Sequence, residues 1–273
     1  MFLLFIFCLF LSTIQTFLHF NNNTYIEQLP SNSFYTFTQP KSVPDPYLIS
    51  INDELLQDLS ISIIDRQQMS EYLSGNRLLS GSRPVAMIYA GHQFGYFTSQ
   101  LGDGRALLLG QINQWAFHAK GTGPTAYARG GDGRAVLRSS IREYLASEAM
   151  HHLGIDTTRA LSLVGSELLP VYRESIETAA IVVRVAPIVA FVRMGTFELF
   201  STRYQFQQVR QLADFVIDNM YEQFSNESNR YNLLLIDIAH RTGRLVAYWQ
   251  AFGFTHGVLN TDNMNVIGST IDY

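Results

Sequence analysis

A single cysteine in 273 residues sets the first limit on what this chain does. It is Cys8, inside an apolar N-terminal stretch, so the fold proper has no disulfide, no thiol nucleophile and no zinc site built on cysteine. Charge is scarce too: Asp, Glu, Lys and Arg make up 15% of the sequence and the formal net charge is −4. Lys and Arg form no cluster, so the electrostatic footprint of sequence-independent nucleic-acid binding is missing and nucleic acid is not expected as a partner. Met1 to Phe17 is long enough for the apolar region of a secretory leader and marginal for a membrane span, yet it lacks a positively charged n-region and a clear small-residue cleavage site. Secretory leader, membrane anchor and unused extension all stay open, and a membrane is a partner only under the second. The sequons at Asn22 and Asn226 matter only under the first. What the chain has in plenty is apolar side chains, 47% of the total, enough for one large domain or two small ones with a substantial core.

From Leu18 to about Ser82, Pro30, Pro40, Pro44 and Pro46 break the chain into short pieces that read as a wrapping arm, with a short helix near Asp53 to Leu59. Strand-like runs follow at Val85 to Tyr89, Ala106 to Leu109 and Trp115 to Lys120. In the last of these, alternation puts Lys120 on a face with Ala116 and His118. Helical spacing of Leu137, Ile141, Tyr144, Leu145 and Ala149 predicts a helix over about Ala135 to Leu153, stopped by Gly154. A β-rich stretch is expected over Leu161 to Glu198. Beyond it Phe206, Val209, Leu212, Val216 and Met220 mark one helix, and Leu233 to Ala239 and Leu245 to Phe252 predict two more. Strands with one embedded helix, then helices, give an α+β, two-lobed order rather than the alternating series of a Rossmann sheet.

Chemistry concentrates in four places. The tetrad Gly-Asp-Gly-Arg occurs at Gly102 to Arg105 and again at Gly131 to Arg134; two glycines allow a turn whose N–H groups approach a phosphate, although Asp-Gly is also a common hairpin turn. The second copy ends a glycine-rich connector that begins at Lys120 and would let Asp132 and Gly133 fold against a nucleotide. Glu143 matches a capping box with Ser140, or else pairs with Lys120 and steers its ammonium toward phosphate. Arg184, on an apolar strand, and Arg193 need anionic partners, either structural carboxylates or a triphosphate. His92 and His256 have no second histidine at metal-ligand spacing and read as structural. Finally, Val266 and Ile267 folding back on Thr270 and Ile271 through Gly268-Ser269 would bring Asp262, Asn263 and Asp272 to one end of a hairpin. Such an oxygen-ligand set suits Mg²⁺ or Mn²⁺ with nucleotide phosphates. The competing reading is that Asp262 and Asn263 are loop residues bonded to their own backbone.

With these residues in view, the chain resembles the selenoprotein O family of kinase-fold proteins. The resemblance rests on Tyr89-Ala-Gly-His-Gln-Phe-Gly95, Gln100-Leu-Gly-Asp-Gly-Arg-Ala106, Lys120-Gly-Thr-Gly-Pro-Thr125, Gly131 to Leu145, Arg184-Val-Ala-Pro187, His256 to Asn263 and Thr270-Ile-Asp-Tyr273. It implies a protein-kinase-like fold: an apolar extension over 1–17, a β-rich upper lobe with its arm over 18–200, and the start of a helical lower lobe over 201–273, mostly missing because the chain ends before the glycine of an Asp-Tyr-Gly motif. It implies a protein adenylyltransferase that binds ATP in a reversed pose and moves AMP onto Ser, Thr or Tyr hydroxyls of proteins. Gly102, Gly104, Arg105, Lys120, Asp132, Gly133, Arg184, Arg193 and Asp272 would hold ATP, Glu143 would position Lys120, Asn263 and Asp272 would ligate the metal, and Asp262 would accept the proton. The family also implies a mitochondrial location in a eukaryote or a cytoplasmic one in a bacterium.

Against the phosphotransferase pattern His-Gly-Asp-Leu-x-x-x-Asn, this chain carries Val258 where the catalytic Asp stands. A valine accepts no proton, which disfavours γ-phosphoryl transfer by the usual route and leaves Asp262 as the candidate base. The rivals are a kinase that works despite Val258 and a non-catalytic nucleotide-binding scaffold.

Overall fold

The computed structural model describes residues 19–61 and 65–273; the expectations for residues 1–17 lie outside the described residues. The chain opens with α1 (Thr24–Gln28), β1 (Tyr35–Phe37) and β2 (Tyr47–Ile51), then α2 (Asp53–Asp58) and α3 (Arg66–Leu73). The expected short helix is α2, whose first turn is closed by Asn52, its side chain accepting from the Leu55 N–H at 3.0 Å. β3 (Val85–Met87), the small hairpin β4 (Gly91–Gln93) and β5 (Tyr96–Thr98), β6 (Ala106–Ile112) and β7 (Trp115–Lys120) follow. Then come β8 (Ala135–Val136), α4 (Leu137–His152), β9 (Arg159–Tyr172) and β10 (Ile176–Pro187).

The main sheet is antiparallel throughout, in the order β1-β3-β6-β7-β10-β9-β2, with β8 added against β10. Alternation along the strands feeds two cores. Leu107, Leu109, Phe117 and Ala119 face a cluster completed by Leu55 and Leu56 of α2 and Met69 and Leu73 of α3. Leu108 and Ala116 face the opposite cluster, which holds Phe191, Leu199, Leu212, Phe215, Val216 and Leu234. With both faces covered, β6 and β7 read as nearly continuous apolar runs. α4 lies on β9 and β10, where Leu137 and Tyr144 cover Ala160, Leu163, Ala180 and Val182.

Three expectations are corrected here. The β-rich stretch does not run to Glu198: β10 ends at Pro187, a 3₁₀ turn covers Ile188–Phe191, and α5 occupies Met194–Thr202, because Val189, Phe191, Leu199 and Phe200 are recruited to the second core. After α6 (Phe206–Met220) and a 3₁₀ turn at Glu222–Phe224, the two predicted helices are one, α7 (Arg230–Ala251). Gly243 lies inside α7, and an interior glycine costs about 1 kcal/mol, which burial of Leu234, Leu245 and Trp249 on one side of the helix outweighs. The terminal segment folds back as expected but in another register: a single antiparallel bridge pairs Met264 with Thr270, and Val266 and Ile267 lie in the turn rather than opposite Thr270 and Ile271. Asn265 braces the turn between the two arms, its N–H donating to the Ser269 carbonyl at 3.1 Å, its Oδ1 accepting from Ser269 N–H at 2.8 Å and its Nδ2 donating to the Ala190 carbonyl at 2.9 Å, so that side chain and backbone close the turn together. Among the described residues no helix is long and apolar enough to cross a membrane.

Candidate functional site

β7 ends on Lys120, and β10 runs antiparallel beside it with Arg184 opposite His118. α4 presents Glu143 from its second turn. The capping-box reading of Glu143 fails because the helix begins at Leu137, with Val136 at the cap position and no side-chain cap, so Ser140 is already inside the helix. Glu143 is buried and accepts from Lys120 Nζ at 2.5 Å, with Arg184 Nη1 3.0 Å from its other oxygen.

The terminal segment arrives from the other side. Ile271 N–H donates to the Asn263 carbonyl at 3.0 Å, so Asn263 and Asp272 are brought together as expected, by the antiparallel bridge between Met264 and Thr270. Asp272 accepts from Lys120 Nζ at 2.7 Å and from Arg184 Nη1 at 2.5 Å. Lys120 thus joins two carboxylates that are 129 positions apart (272 − 143). Burial acts against the charge on Asp272, but Lys120 and Arg184 overrule it and hold the carboxyl well below its usual range.

Between these elements lies a cleft of about 530 Å³ lined by Gly102, Gly104, Arg105, Lys120, Asp132, Gly133, Arg184, Arg193, Asp262, Asn263 and Asp272. Every ATP, metal and base residue expected from the sequence is therefore in one place, and Glu143 stands behind Lys120. Eight Arg or Lys side chains face four aspartates on these walls, so a chain of net negative charge has a cationic cleft, the field a polyphosphate needs.

The glycine-rich connector makes the roof. Gly133 has φ +67°, and a Cβ there would lie 2.0 Å from the Pro124 nitrogen, while at Gly102, with φ +133°, it would lie 2.5 Å from the Tyr127 ring. Gly133→Ala is expected to cost at least about 1–3 kcal/mol, read from denaturant midpoints. Gly130→Ala, at φ +81° but with nothing within 4 Å, is the control that costs less. Asp132 is held by Arg173 in a two-pronged pair at 2.8 and 3.0 Å, which lowers its pKa.

The two arginines are not on one sheet face. Arg184 is on β10, whereas Arg193 caps α5. Both are buried, and both have structural carboxylate partners. Arg193 donates to the Asp262 carbonyl and to Asp103 Oδ1, at 3.2 Å for the latter, and lies over the Tyr89 ring, 4.4 Å from its centroid. Asp103, between the two glycines of the first tetrad, was not singled out by sequence, nor was His118. Asp103 Oδ2 contacts His118 Nε2 at 3.2 Å, and Arg184 Nη2 contacts His118 Nδ1 at 2.9 Å. An arginine only donates, so Nδ1 is the acceptor and Nε2 carries the proton, and a neutral imidazole links the two arginines through Asp103. Burial lowers the His118 pKa despite Asp103, consistent with that tautomer. The available signals were weak: a His alternating with Lys120 on a buried strand, and two tetrads that look alike although Asp103 is buried and Asp132 is not.

Asp262 is buried. Its Oδ2 accepts from Gln93 Nε2 at 2.9 Å, its Oδ1 has no hydrogen-bond partner, and burial raises its pKa. Its own backbone N–H and Arg193 oppose that rise, so the competing reading of a carboxylate turned on its own loop holds in part, and the Gln93 contact is what goes beyond it. Asn263 donates from Nδ2 to the Val258 carbonyl at 3.0 Å, leaving its amide oxygen as the group for a cation. Among the described residues no three His, Cys, Asp or Glu side chains form a metal cage. One carboxylate and one amide oxygen nevertheless fit Mg²⁺, which keeps waters and takes phosphates for the rest of its shell. His256 accepts from Val258 N–H at 3.1 Å and bonds Thr270 and the Asp272 carbonyl, both at 2.9 Å. His92 pairs with Glu198 at 2.8 Å. Both histidines hold structure, as expected.

The model of the family described as "Protein adenylyltransferase SelO" matches residues 16–273. The chain belongs to this family. Among curated relatives, it is 51% identical over 247 residues to a protein of Dechloromonas aromatica named "Protein nucleotidyltransferase YdiU", covering 88% of this chain and 49% of the relative. Proteins of the same name from Thiobacillus denitrificans and Myxococcus xanthus are 52% and 49% identical, over 88% and 92% of this chain and 50% and 52% of theirs. The chain spans about half the length of the curated relatives it matches. Membership agrees with the resemblance drawn from the motifs, each of which contributes at least one residue to the cleft, from Lys120 alone in Lys120 to Thr125 to His256, Val258, Asn260, Asp262 and Asn263 in the loop.

Proposed function

We propose that the protein, in its full length, is a nucleotidyltransferase that moves AMP from ATP to Ser, Thr or Tyr hydroxyls of other proteins. The observation that carries this reading is the meeting of Lys120 and Asp272 at 2.7 Å inside a cationic cleft, with Asp262 on its wall and Val258 where a kinase needs its Asp. We read residues 18–200 as the β-rich lobe of a kinase-like fold, α4 as its key helix, and residues 201–273 as the start of the helical lobe.

In this mechanism Lys120, Arg184 and Arg193 neutralise the triphosphate, and Glu143 keeps Lys120 in place when phosphate displaces its bond to Asp272. Gly102, Gly104 and Arg105 on one wall and Asp132 and Gly133 on the roof hold the nucleotide. Asn263 and Asp272 would hold Mg²⁺ or Mn²⁺, which supplies charge neutralisation at the phosphates. Asp262 takes the proton from the acceptor hydroxyl. The hydroxyl oxygen then bonds to the α-phosphorus as the bond to the bridging oxygen breaks, and pyrophosphate leaves. Positioning and electrostatics supply most of the rate, and a carboxyl whose pKa is raised by burial is a stronger base than an exposed one.

Two samples of ATP, labelled at the α- or the γ-phosphate, test this reading in the full-length protein. Protein-bound α-label is expected. Bound γ-label would establish a kinase, and neither label would establish a scaffold.

A further inference from the structure

Three successive residues of β4 and its turn reach across to three successive residues of the 260–262 loop. His92 N–H donates to Thr261 Oγ1 at 2.8 Å, Gln93 Nε2 to Asp262 Oδ2 at 2.9 Å and Phe94 N–H to Asn260 Oδ1 at 3.2 Å. Glu198 of α5 locks the pair from behind, accepting from Thr261 Oγ1 at 2.5 Å and contacting His92 Nδ1 at 2.8 Å. The loop backbone is held separately: Gly195 N–H donates to the Thr261 carbonyl, and Arg193 to that of Asp262. The carboxylate is different. Among the described residues Gln93 is the one side chain that hydrogen-bonds it, a larger influence on it than its own backbone N–H, and the other carboxylate oxygen packs on Gly91, where a Cβ would come within 2.5 Å of Oδ1.

We propose that Gln93 is the positioning residue of Asp262: its amide fixes the rotation of the carboxylate so that the acceptor hydroxyl meets an oriented lone pair. Three observations carry this. The strand under Gln93 is pinned on both sides, so its side chain is a fixed donor rather than a mobile one. Gly91 lets the carboxylate seat against β4. No other side chain would hold that orientation if Gln93 were removed. Gln93 lines the same cleft as Asp262 and Lys120, yet it pairs with no nucleotide-binding residue, so its loss acts on the acceptor step and not on ATP.

The inference rests on Asp262 being the proton acceptor, and its test separates the two. In the full-length protein, Gln93→Met keeps the length and removes the donor, and Gln93→Glu sets an oxygen against an oxygen. Both are expected to lower kcat for α-label transfer by about 10- to 100-fold, the scale of a small misplacement of a reacting group. The KM for ATP and the thermal midpoint stay at the parent values. In an Asp262→Asn background Gln93→Met is expected to change nothing further, as befits a residue acting only through Asp262. Crystal structures of the parent and Gln93→Met supply a readout independent of activity: the Asp262 side chain leaves its seat against Gly91 in the variant. A Gln93→Met protein that transfers AMP at the parent rate, or that keeps the Asp262 rotamer, overturns the inference. A parent that transfers no α-label, or an Asp262→Asn protein as active as the parent, instead overturns the reading of Asp262, and the rotamer comparison still decides for Gln93.

Discussion

Asp272→Ala in the full-length protein is expected to abolish transfer of α-label, and Asp272→Asn to reduce it to the same floor with less structural damage. Asp272 is the group on which Lys120 and Arg184 converge, at 2.7 and 2.5 Å. Its carboxyl is held well below the usual range, so it is charged under all working conditions, as a metal ligand must be. Removing the charge does two separable things. In the proposed metal site it would deprive a divalent ion of its carboxylate, and it leaves Glu143 as the one carboxylate shared by Lys120 and Arg184. The first effect predicts that raising Mn²⁺ or Mg²⁺ partly restores Asp272→Asn, since an amide oxygen still ligates weakly. The second predicts that nucleotide still binds, because a more cationic cleft attracts phosphate at least as well. Titrating metal at fixed ATP, and ATP at fixed metal, reads the two separately. Unchanged transfer in both variants would remove Asp272 from the metal site.

How much of this was legible in the sequence differs by residue, and the reason is physical. Lys120 and Glu143 were found because local periodicity suffices: a strand ending in Lys and a helix with Leu137, Ile141 and Tyr144 in step. Asp272 was expected near them only through a shared triphosphate and metal, and the direct contact with Lys120 at 2.7 Å is what the structure adds. The terminal hairpin was drawn with the right residues close together but in the wrong register, because the turn is set by Asn265, whose side chain is anchored on the Ala190 carbonyl, 75 positions away. The single helix α7 was read as two because the cost of Gly243 is visible locally and the burial of Trp249 is not. Asp103 and Asp132 occupy identical tetrads, yet one is sealed beneath β3 and the other paired at the surface. Only the tertiary positions of Arg193 and His118 separate them.

That difference makes Asp103 a far stronger stability lever than Asp132. Its two oxygens take Met87 N–H and His118 on one side and Tyr89 and Arg193 on the other, at 3.2 to 3.3 Å. Asp103→Ala strands a buried guanidinium and leaves three further groups unpaired, and breaking a buried pair from one side typically costs about 3–5 kcal/mol. Asp132→Ala, which breaks a partly exposed pair, is expected to cost about 1 kcal/mol or less. Urea midpoints of the two variants check the contrast. Acid should act on the same network. Burial favours the neutral forms of both groups, but His118 and Arg193 bring the Asp103 carboxyl below its ordinary value, and the His118 pKa is lowered as well. A folded pKa below the unfolded one means that the unfolded chain binds the proton first, so each group contributes stability that is lost as pH falls. His118 begins to act below about pH 6.5 and Asp103 below about pH 4. His118→Gln should therefore flatten the decline of the urea midpoint between pH 7 and pH 5 relative to the parent while leaving the steeper loss at lower pH. If the two declines coincide, His118 is not the buried neutral link between Arg184 and Asp103 that its contacts describe.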